Sequence, residues 1–236
     1  MLFGGVNEVN GDPLTYEVVG DTVTVTDCKE SASGALVIPA TYDGKPVTSI
    51  GSWAFWKCTS LTSVTIPDSI TSIGNFTFHS CSDLTSVTIG NSVLNIMAGA
   101  FFRCSSLTSV TIPDSVTGIE PRAFRGCSGL TSITIPDSVT GAIGDETFSG
   151  CSSLTSVTIG NGITALYNKA FYNCFALTSI TIPDSVTYLG WRTFQGCTGL
   201  KSITIPDSIT HIRGGDFNGC SSLTSVTIPD SVISIG

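Results

Sequence analysis

The chain has 236 residues, of which 41% are hydrophobic and 12% are charged, a composition too apolar for an intrinsically disordered protein. Eighteen acidic and ten basic residues give a net charge of −8. A general nucleic-acid-binding protein has the opposite balance, so we expect no nucleic-acid partner. No run approaches the roughly 18 to 20 apolar residues that span a bilayer, and we expect no membrane insertion.

The N-terminal part differs from the rest of the chain. Residues 1–12 lack a basic segment followed by an apolar one, which is the pattern of a secretory signal peptide. Residues 13–34 then alternate between apolar and polar side chains, with Gly20-Asp21 between the two alternating runs. This pattern predicts a β-hairpin that turns at Gly20-Asp21.

From Leu61 onward, the phrase Leu-Thr-Ser-Val-Thr-Ile-Pro-Asp-Ser-Val-Thr recurs with small changes. Its first leucines are 23 residues apart, except for one step of 24 between Leu130 and Leu154, where the extra residue lies in the segment 139–143. A phenylalanine and, three residues later, a cysteine keep the same spacing. We call these the ladder phenylalanines and the ladder cysteines. The phenylalanines are Phe55, Phe78, Phe101, Phe124, Phe148, Phe171, Phe194 and Phe217. The cysteines are Cys58, Cys81, Cys104, Cys127, Cys151, Cys174, Cys197 and Cys220.

Each repeat predicts one turn of a coil. Residues 63–66 alternate as a short strand with its apolar side chains inward, and Pro67-Asp68 turns the corner. Ile70 and Ile73 point inward on a second extended segment, and the ladder residues close the coil from the far side. No segment has a helical period. The sequence therefore predicts a mainly-β repeat solenoid with about eight 23-residue turns, short strands and little helix, in which each turn buries its apolar side chains against its neighbours.

The repeat resembles that of the BspA-like (Treponema pallidum-type) leucine-rich-repeat family. The family pattern is L-x-x-[IV]-x-[IL]-P-x-x-[IV]-x-x-I-G-x-x-A-F-x-x-C-x-x, and residues 107–129 match it almost position for position. Glu120 departs from the pattern, which has glycine there. The resemblance covers about residues 35–236 and implies a right-handed leucine-rich-repeat coil, with residues 1–34 as an N-terminal hairpin cap. Because the sequence stops within a repeat at Gly236, we expect the solenoid to be truncated at its C-terminal end.

The resemblance also implies a function. Members of the family are surface or secreted proteins that bind host or neighbouring macromolecules, and bacterial members are often adhesins. It therefore implies a non-enzymatic binding module at the cell surface or outside the cell, with a protein or glycan partner, no cofactor and no catalytic residues. The identity of the partner and the oligomeric state remain open.

Residues that could bind metal lack the necessary spacing. Zinc favours close cysteine pairs such as C-x₂-C, so we interpret the ladder cysteines as buried, reduced thiols and only Cys28 as a candidate reactive thiol. We interpret His79 and His211 as isolated surface histidines. One slot of the repeat is acidic in six turns, and we interpret its members as solvated turn residues, with a Ca²⁺ site as the alternative. They are Asp68, Asp114, Asp137, Asp184, Asp207 and Asp230.

Two other slots vary in every turn, whereas the Ser-x-Thr strand positions hardly change. The +1 slot, directly after the ladder phenylalanine, holds Trp56, His79, Phe102, Arg125, Ser149, Tyr172, Gln195 and Asn218. The −2 slot, two residues before it, holds Trp53, Phe76, Gly99, Arg122, Glu146, Lys169, Arg192 and Gly215. A core position cannot vary so widely without leaving cavities, so both slots are expected to face outward.

Exposed aromatic residues and arginines are typical of interaction hot spots. We therefore predict a binding surface on these loops, although neutral drift would also explain their variety. The predicted binding residues are Trp53, Trp56, Phe76, Phe102, Arg122, Arg125, Tyr167, Tyr172, Trp191, Arg192 and Arg213. Two alternatives stay open: a periodic ligand, either a glycan or ice, on the Ser63/Thr65-type rows, or a purely structural spacer in a longer solenoid.

Overall fold

The computed structural model describes residues 11–236. The part of the expected N-terminal cap in residues 1–10 lies outside the described residues. The first five strands along the chain are β1 (Leu14–Val19), β2 (Thr22–Cys28), β3 (Ser33–Val37), β4 (Thr41–Tyr42) and β5 (Lys45–Ile50). Strands β1 and β2 pair antiparallel around Gly20-Asp21, and β2 pairs in parallel with β5. The hairpin therefore continues the first parallel sheet of the solenoid and covers its edge.

Beyond residue 60, the turns contribute short strands to two faces of the coil. These strands are β6 (Ser60–Thr65), β7 (Ser72–Ile73), β8 (Ser86–Thr88), β9 (Asn95–Ile96), β10 (Ser109–Val110), β11 (Gly118–Ile119), β12 (Ser132–Ile135), β13 (Gly141–Ile143), β14 (Ser156–Ile159), β15 (Ile163–Leu166), β16 (Tyr188–Leu189), β17 (Ser202–Thr204), β18 (His211–Ile212), β19 (Ser225–Thr227) and β20 (Ser234–Ile235). None of residues 11–236 is helical. The predicted fold class is confirmed, with about nine turns once the degenerate first turn is counted.

The two faces have different strands. The strand face contains β3, β6, β8, β10, β12, β14, β17 and β19, and it carries the Ser-x-Thr rows. The second face contains β5, β7, β9, β11, β13, β15, β16, β18 and β20. Neighbouring turns pair in parallel with equivalent residues opposite each other, as at Ser63↔Ser86 on the strand face and Ile73↔Ile96 on the second face. The 24-residue turn shifts this register between Gly141 and Ala142, where β13 meets β15.

The ladder phenylalanines form the centre of the core. Their rings stack from turn to turn, with centroid separations between 4.8 Å for Phe55–Phe78 and 5.9 Å for Phe194–Phe217. The planes are nearly parallel, within 10° for every pair from Phe78 to Phe217. This parallel stacking arises because equivalent atoms of adjacent turns are one strand spacing apart.

The ladder cysteines are buried, and in the structure none of the nine cysteines forms a disulfide. From Cys81 onward, each thiol donates a hydrogen bond to the backbone carbonyl of the ladder phenylalanine one turn earlier. The distance is 3.0 Å from Cys104 Sγ to Phe78 O and 3.2 Å from Cys220 Sγ to Phe194 O. A cysteine is thus small enough for the core and also satisfies a buried carbonyl. Burial raises the pKa of these thiols, for example that of Cys151 to about 12.

The interpretation of Cys28 as a reactive thiol outside the ladder is wrong. The Cys28 side chain is buried, and Cys58 Sγ lies 3.6 Å from the Cys28 carbonyl oxygen, so Cys28 begins the cysteine row. A hydrogen bond with the Cys58 thiol raises the pKa of Cys28, and burial raises it further. A reactive thiol needs the opposite: solvent access and a lowered pKa.

The recurring threonines next to the ladder of strands on the strand face also bond between turns. The hydroxyl of Thr85 donates to the Thr62 carbonyl at 2.9 Å, and the hydroxyl of Thr108 donates to the Thr85 carbonyl at 3.2 Å. The same bond joins Thr131 to Thr108. The uniformity of this position is therefore structural. Across residues 11–236, no helix is long and apolar enough to cross a membrane.

Candidate functional site

The −2 and +1 slots lie on the loops that join the second face to the strand face, and we call this surface the loop face. Trp53 and Trp56 are 46% and 40% exposed. Arg122 and Arg192 are also exposed, whereas Phe76, Phe102, Arg125 and Tyr172 are half-buried. The outward orientation predicted for the +1 slot is wrong for Ser149, which is buried. The serine side chain is too short to reach past its larger neighbours.

The −2 slot has an unusual backbone conformation. All eight of its residues, within the described turns, have a positive φ, between 54° at Phe76 and 83° at Gly215. This left-handed region favours glycine, and a side chain there costs roughly 1–2 kcal/mol. Yet glycine fills the slot in only two turns. The six side chains in this strained slot are those of Trp53, Phe76, Arg122, Glu146, Lys169 and Arg192.

Aromatic side chains from three turns meet on the loop face. The Trp53 and Phe76 rings are stacked with centroids 4.6 Å apart, and the Phe102 ring meets Phe76 edge-on at 6.3 Å. Trp56 lies edge-on to Trp53 at 6.4 Å. The structure corrects the interpretation of His79 as an isolated histidine, because its ring stacks on Phe102 at 4.9 Å and 4°. The two residues share the +1 slot of adjacent turns, so the 23-residue period places them in contact. We call these five residues the aromatic cluster.

Cationic side chains surround the aromatic cluster. Lys57 Nζ lies 4.3 Å from the centroid of the Trp56 ring. The guanidinium carbons of Arg103 and Arg125 lie 5.5 and 5.4 Å from the centroid of the Phe102 ring. These are cation–π distances. Burial lowers the pKa of His79, and the nearby charges of Arg103 and Lys57 lower it further.

Glu146 joins the aromatic cluster to the next turns. Its Oε2 accepts hydrogen bonds from Arg122 Nε at 2.9 Å and from Arg125 Nη1 at 2.7 Å. Lys169 Nζ lies 3.9 Å from Glu146 Oε1 and 5.8 Å from the Tyr172 ring centroid. The structure therefore brings seven of the eleven predicted residues onto one continuous surface. They are Trp53, Trp56, Phe76, Phe102, Arg122, Arg125 and Tyr172.

Charge is segregated on this surface. The −2, +1 and +2 slots of the eight ladder turns contain six of the ten basic residues, and Glu146 is their one acidic residue. The six are Lys57, Arg103, Arg122, Arg125, Lys169 and Arg192. The loop face is thus basic in a chain whose net charge is −8. His79 and Glu146 were not among the predicted binding residues, although both stand in the two variable slots.

Of the other four predicted residues, Arg192 lies on the loop face beyond this continuous surface, and Tyr167, Trp191 and Arg213 lie outside the two slots. Tyr167 contacts Tyr188 on the second face, with perpendicular rings 5.8 Å apart, and the Arg213 guanidinium carbon lies 4.8 Å from the centroid of the Tyr188 ring. Trp191 is 55% exposed, and its backbone N–H donates to Asn168 Oδ1 in the preceding turn. The exposed Arg192 side chain lies beside Gly215 of the next turn.

The aspartate row forms local hydrogen bonds. Asp68 Oδ1 accepts the Asn91 backbone N–H at 2.7 Å, and Asp137 Oδ1 accepts that of Asn161 at the same distance. In both pairs the acceptor and donor occupy the same slot of adjacent turns. Among the residues that the structure describes, no group of three or more histidine, cysteine, aspartate or glutamate side chains could hold a metal ion.

Comparisons with known proteins agree with this architecture. The model of the BspA type leucine rich repeat region matches residues 43–142 and 119–236, with six copies. A leucine rich cell surface protein from Faecalibacterium prausnitzii is 33% identical, with a TM-score of 0.76, over 97% of this chain and 72% of that protein. The Treponema pallidum leucine rich repeat protein is 29% identical, with a TM-score of 0.76, over 82% of this chain and 91% of that protein.

A third solved structure, a leucine-rich repeat protein from Bacteroides ovatus, is 29% identical, with a TM-score of 0.65, over 95% of this chain and 77% of that protein. A comparison with curated protein sequences gave no match. The matched repeats and the solenoid with its stacked phenylalanines and cysteines lead to one assignment. The chain belongs to the BspA-type leucine-rich-repeat family.

Proposed function

We propose that this repeat protein is a non-enzymatic, adhesin-type binding module, displayed at the cell surface or secreted, whose loop face recognises a macromolecular partner with acidic groups. The surface location is supported by the likeness to a protein described as a leucine rich cell surface protein. Recognition by the loop face is supported by the geometry of that face.

The observation that carries the proposal is the strained −2 slot. Gly99 and Gly215 show that glycine fits this slot, and glycine would relieve the left-handed strain. Large side chains such as Trp53 and Arg122 stand there at a cost to stability. Strained residues of this kind are concentrated at functional sites, where the side chain is needed for another purpose. Neutral drift explains variety in a slot, but it does not favour the residues that strain the backbone.

The chemistry of the loop face indicates the kind of partner. Exposed tryptophans beside arginines are the usual hot-spot residues of protein interfaces. Six basic side chains against one acidic residue would attract an acidic surface and repel a basic one. Because the rest of the chain is acidic, this local charge also orients the approaching partner.

An adhesion assay tests the proposal. Fluorescent beads coated with the full chain are counted on cultured epithelial cells, with Trp53→Gly and Arg125→Gln as loop-face variants. Lys201→Gln is the matched charge control, because Lys201 is exposed outside the loop face. We expect about 10-fold less attachment for the loop-face variants, unchanged attachment for the control, and weaker attachment at high salt.

Four outcomes would contradict the proposal in different ways. Loop-face variants that attach as well as the wild type would show that the loop face is not the binding site. No attachment of wild-type beads would favour the structural spacer. Thermal hysteresis of the purified chain would show instead that the Ser63- and Thr65-type rows bind ice. A loss of bead attachment after Thr65→Lys would indicate that the strand face binds a glycan.

A further inference from the structure

The second face contains an aromatic cleft that is separate from the loop face. Tyr167 and Tyr188 line a cleft of about 550 Å³, together with Asp145, Thr164, Asn168 and Thr187. A smaller cleft of about 270 Å³ lies on the N-terminal side of Tyr167, where Glu120 and Thr140 are among its lining residues. The Tyr167 ring therefore stands between two adjacent clefts.

Tyr167 is 44% exposed and lines both clefts because of its slot. It stands four residues before a ladder phenylalanine, where the family pattern has glycine, and the preceding and following turns have Gly144 and Gly190 there. Neither glycine has room for a side chain: an added Cβ would lie 2.9 Å from Pro121 Cγ at Gly144 and 2.5 Å from Asn168 N at Gly190. No side chain at the equivalent slot of either neighbouring turn can cover the tyrosine ring.

Polar groups of the larger cleft are held in place. Asp145 Oδ1 accepts the Asn168 backbone N–H at 2.9 Å, and Asn168 Oδ1 accepts the Trp191 backbone N–H at 2.9 Å. These bonds orient both side chains. Within residues 11–236, no hydrogen bond occupies Asp145 Oδ2 or Asn168 Nδ2, so an acceptor and a donor remain for a ligand.

The backbone beside the cleft is irregular. The register shift between Gly141 and Ala142 lies in the 24-residue turn, and among the described pairs in which both strands come from residues 60–236 it is the one such shift. Ala142 pairs with Ala165, and the two residues line the smaller and the larger cleft respectively. Irregularities of this kind often occur next to binding sites, where they change the direction of side chains.

We propose that the Tyr167 cleft binds a neutral oligosaccharide of pyranose units. The partly exposed Tyr167 ring, which lines both clefts, matches the apolar C–H face of a pyranose, and the fixed amide and carboxylate groups match its hydroxyls. Asp145 and Glu120 disfavour uronate or sulfate groups. One cation, Arg213, lies near the larger cleft, with its guanidinium carbon 4.8 Å from the Tyr188 ring centroid, so the two carboxylates outnumber it. The two clefts accept consecutive sugar units.

The test uses the full chain and defined sugars. Linear neutral oligosaccharides of the gluco-, manno-, galacto- and N-acetylglucosamine series are printed on an array beside uronate oligosaccharides of equal length. The best binder is then titrated by calorimetry. Tyr167→Gly restores the residue of the flanking turns. Phe175→Ser is the matched control, because Phe175 is an exposed aromatic residue whose slot has serine or threonine in the other ladder turns.

We expect at least one neutral series to bind, with affinity reduced about 10-fold or more by Tyr167→Gly and less than about twofold by Phe175→Ser. The proposal is overturned if no neutral series binds, if a uronate binds more tightly than its neutral counterpart, or if Tyr167→Gly binds as tightly as the wild type. Trp53→Gly should leave sugar binding unchanged, so failure of the loop-face proposal can be distinguished from failure of this one.

Discussion

The indole ring of Trp53 lies parallel to the phenyl ring of Phe76, 15° between planes, although both residues have a positive φ. Stacking contributes roughly 0.5–1.5 kcal/mol and offsets part of the backbone strain of roughly 1–2 kcal/mol per residue. The strain and the contact have one origin, since both residues occupy the −2 slot of consecutive turns. A residue of this slot without a stacking partner keeps its strain uncompensated.

Arg192 is such a residue, and we predict that Arg192→Gly stabilises the protein. Its φ of 60° costs roughly 1–2 kcal/mol, whereas a glycine adds roughly 0.5–1 kcal/mol of conformational entropy to the unfolded chain. The expected gain is about 0.5–1 kcal/mol in the free energy of unfolding, measured by urea titration. Asn173→Gly is the control: its φ is 57°, but asparagine tolerates this region, so we expect little change. Equal gains in both variants would refute the argument.

The cysteines of the native protein should not react with thiol reagents. All nine are buried, and burial raises the pKa of the ladder thiols from Cys81 onward, so thiolate is scarce there. A hydrogen bond with the Cys28 thiol lowers the pKa of Cys58, so at Cys58 it is burial that prevents access of a reagent. We expect almost no reaction with Ellman's reagent at pH 8 in the native state and nine reactive thiols in guanidinium. Cys28→Ala should leave the native rate unchanged. If one thiol per native wild-type chain reacts rapidly and Cys28→Ala abolishes that reaction, Cys28 is a reactive thiol and this prediction is wrong.

His79 makes stability depend on pH. Its pKa is lowered in the folded state, so in mildly acidic solution the unfolded chain binds more protons than the folded one. The contribution of this site is therefore fully present above the unfolded pKa of about 6.5 and is lost as the pH falls through the folded value. Urea titrations at pH 8 and pH 5.5 should show a smaller decrease for His79→Phe than for the wild type. His211→Gln is the control, and an unchanged decrease in His79→Phe would contradict this assignment.

Much of the fold could be predicted from sequence because one period governs every level of it. A residue 23 positions later occupies the same slot, so the stacks of Phe78 on Phe101 and of Trp53 on Phe76 follow directly from the spacing. The hydrogen bonds of the thiols did not follow, since apolar packing alone already explains a buried cysteine. The left-handed −2 slot was indicated only by Gly99 and Gly215, which the larger residues of the same slot obscured.

The contact between Tyr167 and Tyr188 could not be predicted from the 23-residue period. Tyr167 and Tyr188 are 21 residues apart and belong to different slots, so equal spacing does not place them together. Their contact depends on the direction of each side chain from the second face, which the repeat pattern does not specify. The same holds for Arg125 and Glu146, also 21 residues apart, whose side chains meet at 2.7 Å.

Replacing a ladder phenylalanine should lower the free energy of unfolding by an amount that depends on the position of that residue along the ladder. Phe124 is fully buried between Phe101 and Phe148, so Phe124→Ala should cost about 3–5 kcal/mol, the usual cost of this change in a packed core. Phe217 is half-buried and stacks on a ladder ring only at Phe194, so Phe217→Ala should cost about half as much. In a solenoid each turn depends on its neighbours, and a defect near one end loosens the adjoining turns before the interior ones.

Hydrogen exchange should therefore show faster amide exchange confined to the last turns for Phe217→Ala, but on both sides of residue 124 for Phe124→Ala. Equal losses in urea titration, or the same exchange pattern in both variants, would mean that the described chain unfolds as a single unit in which position along the ladder does not matter.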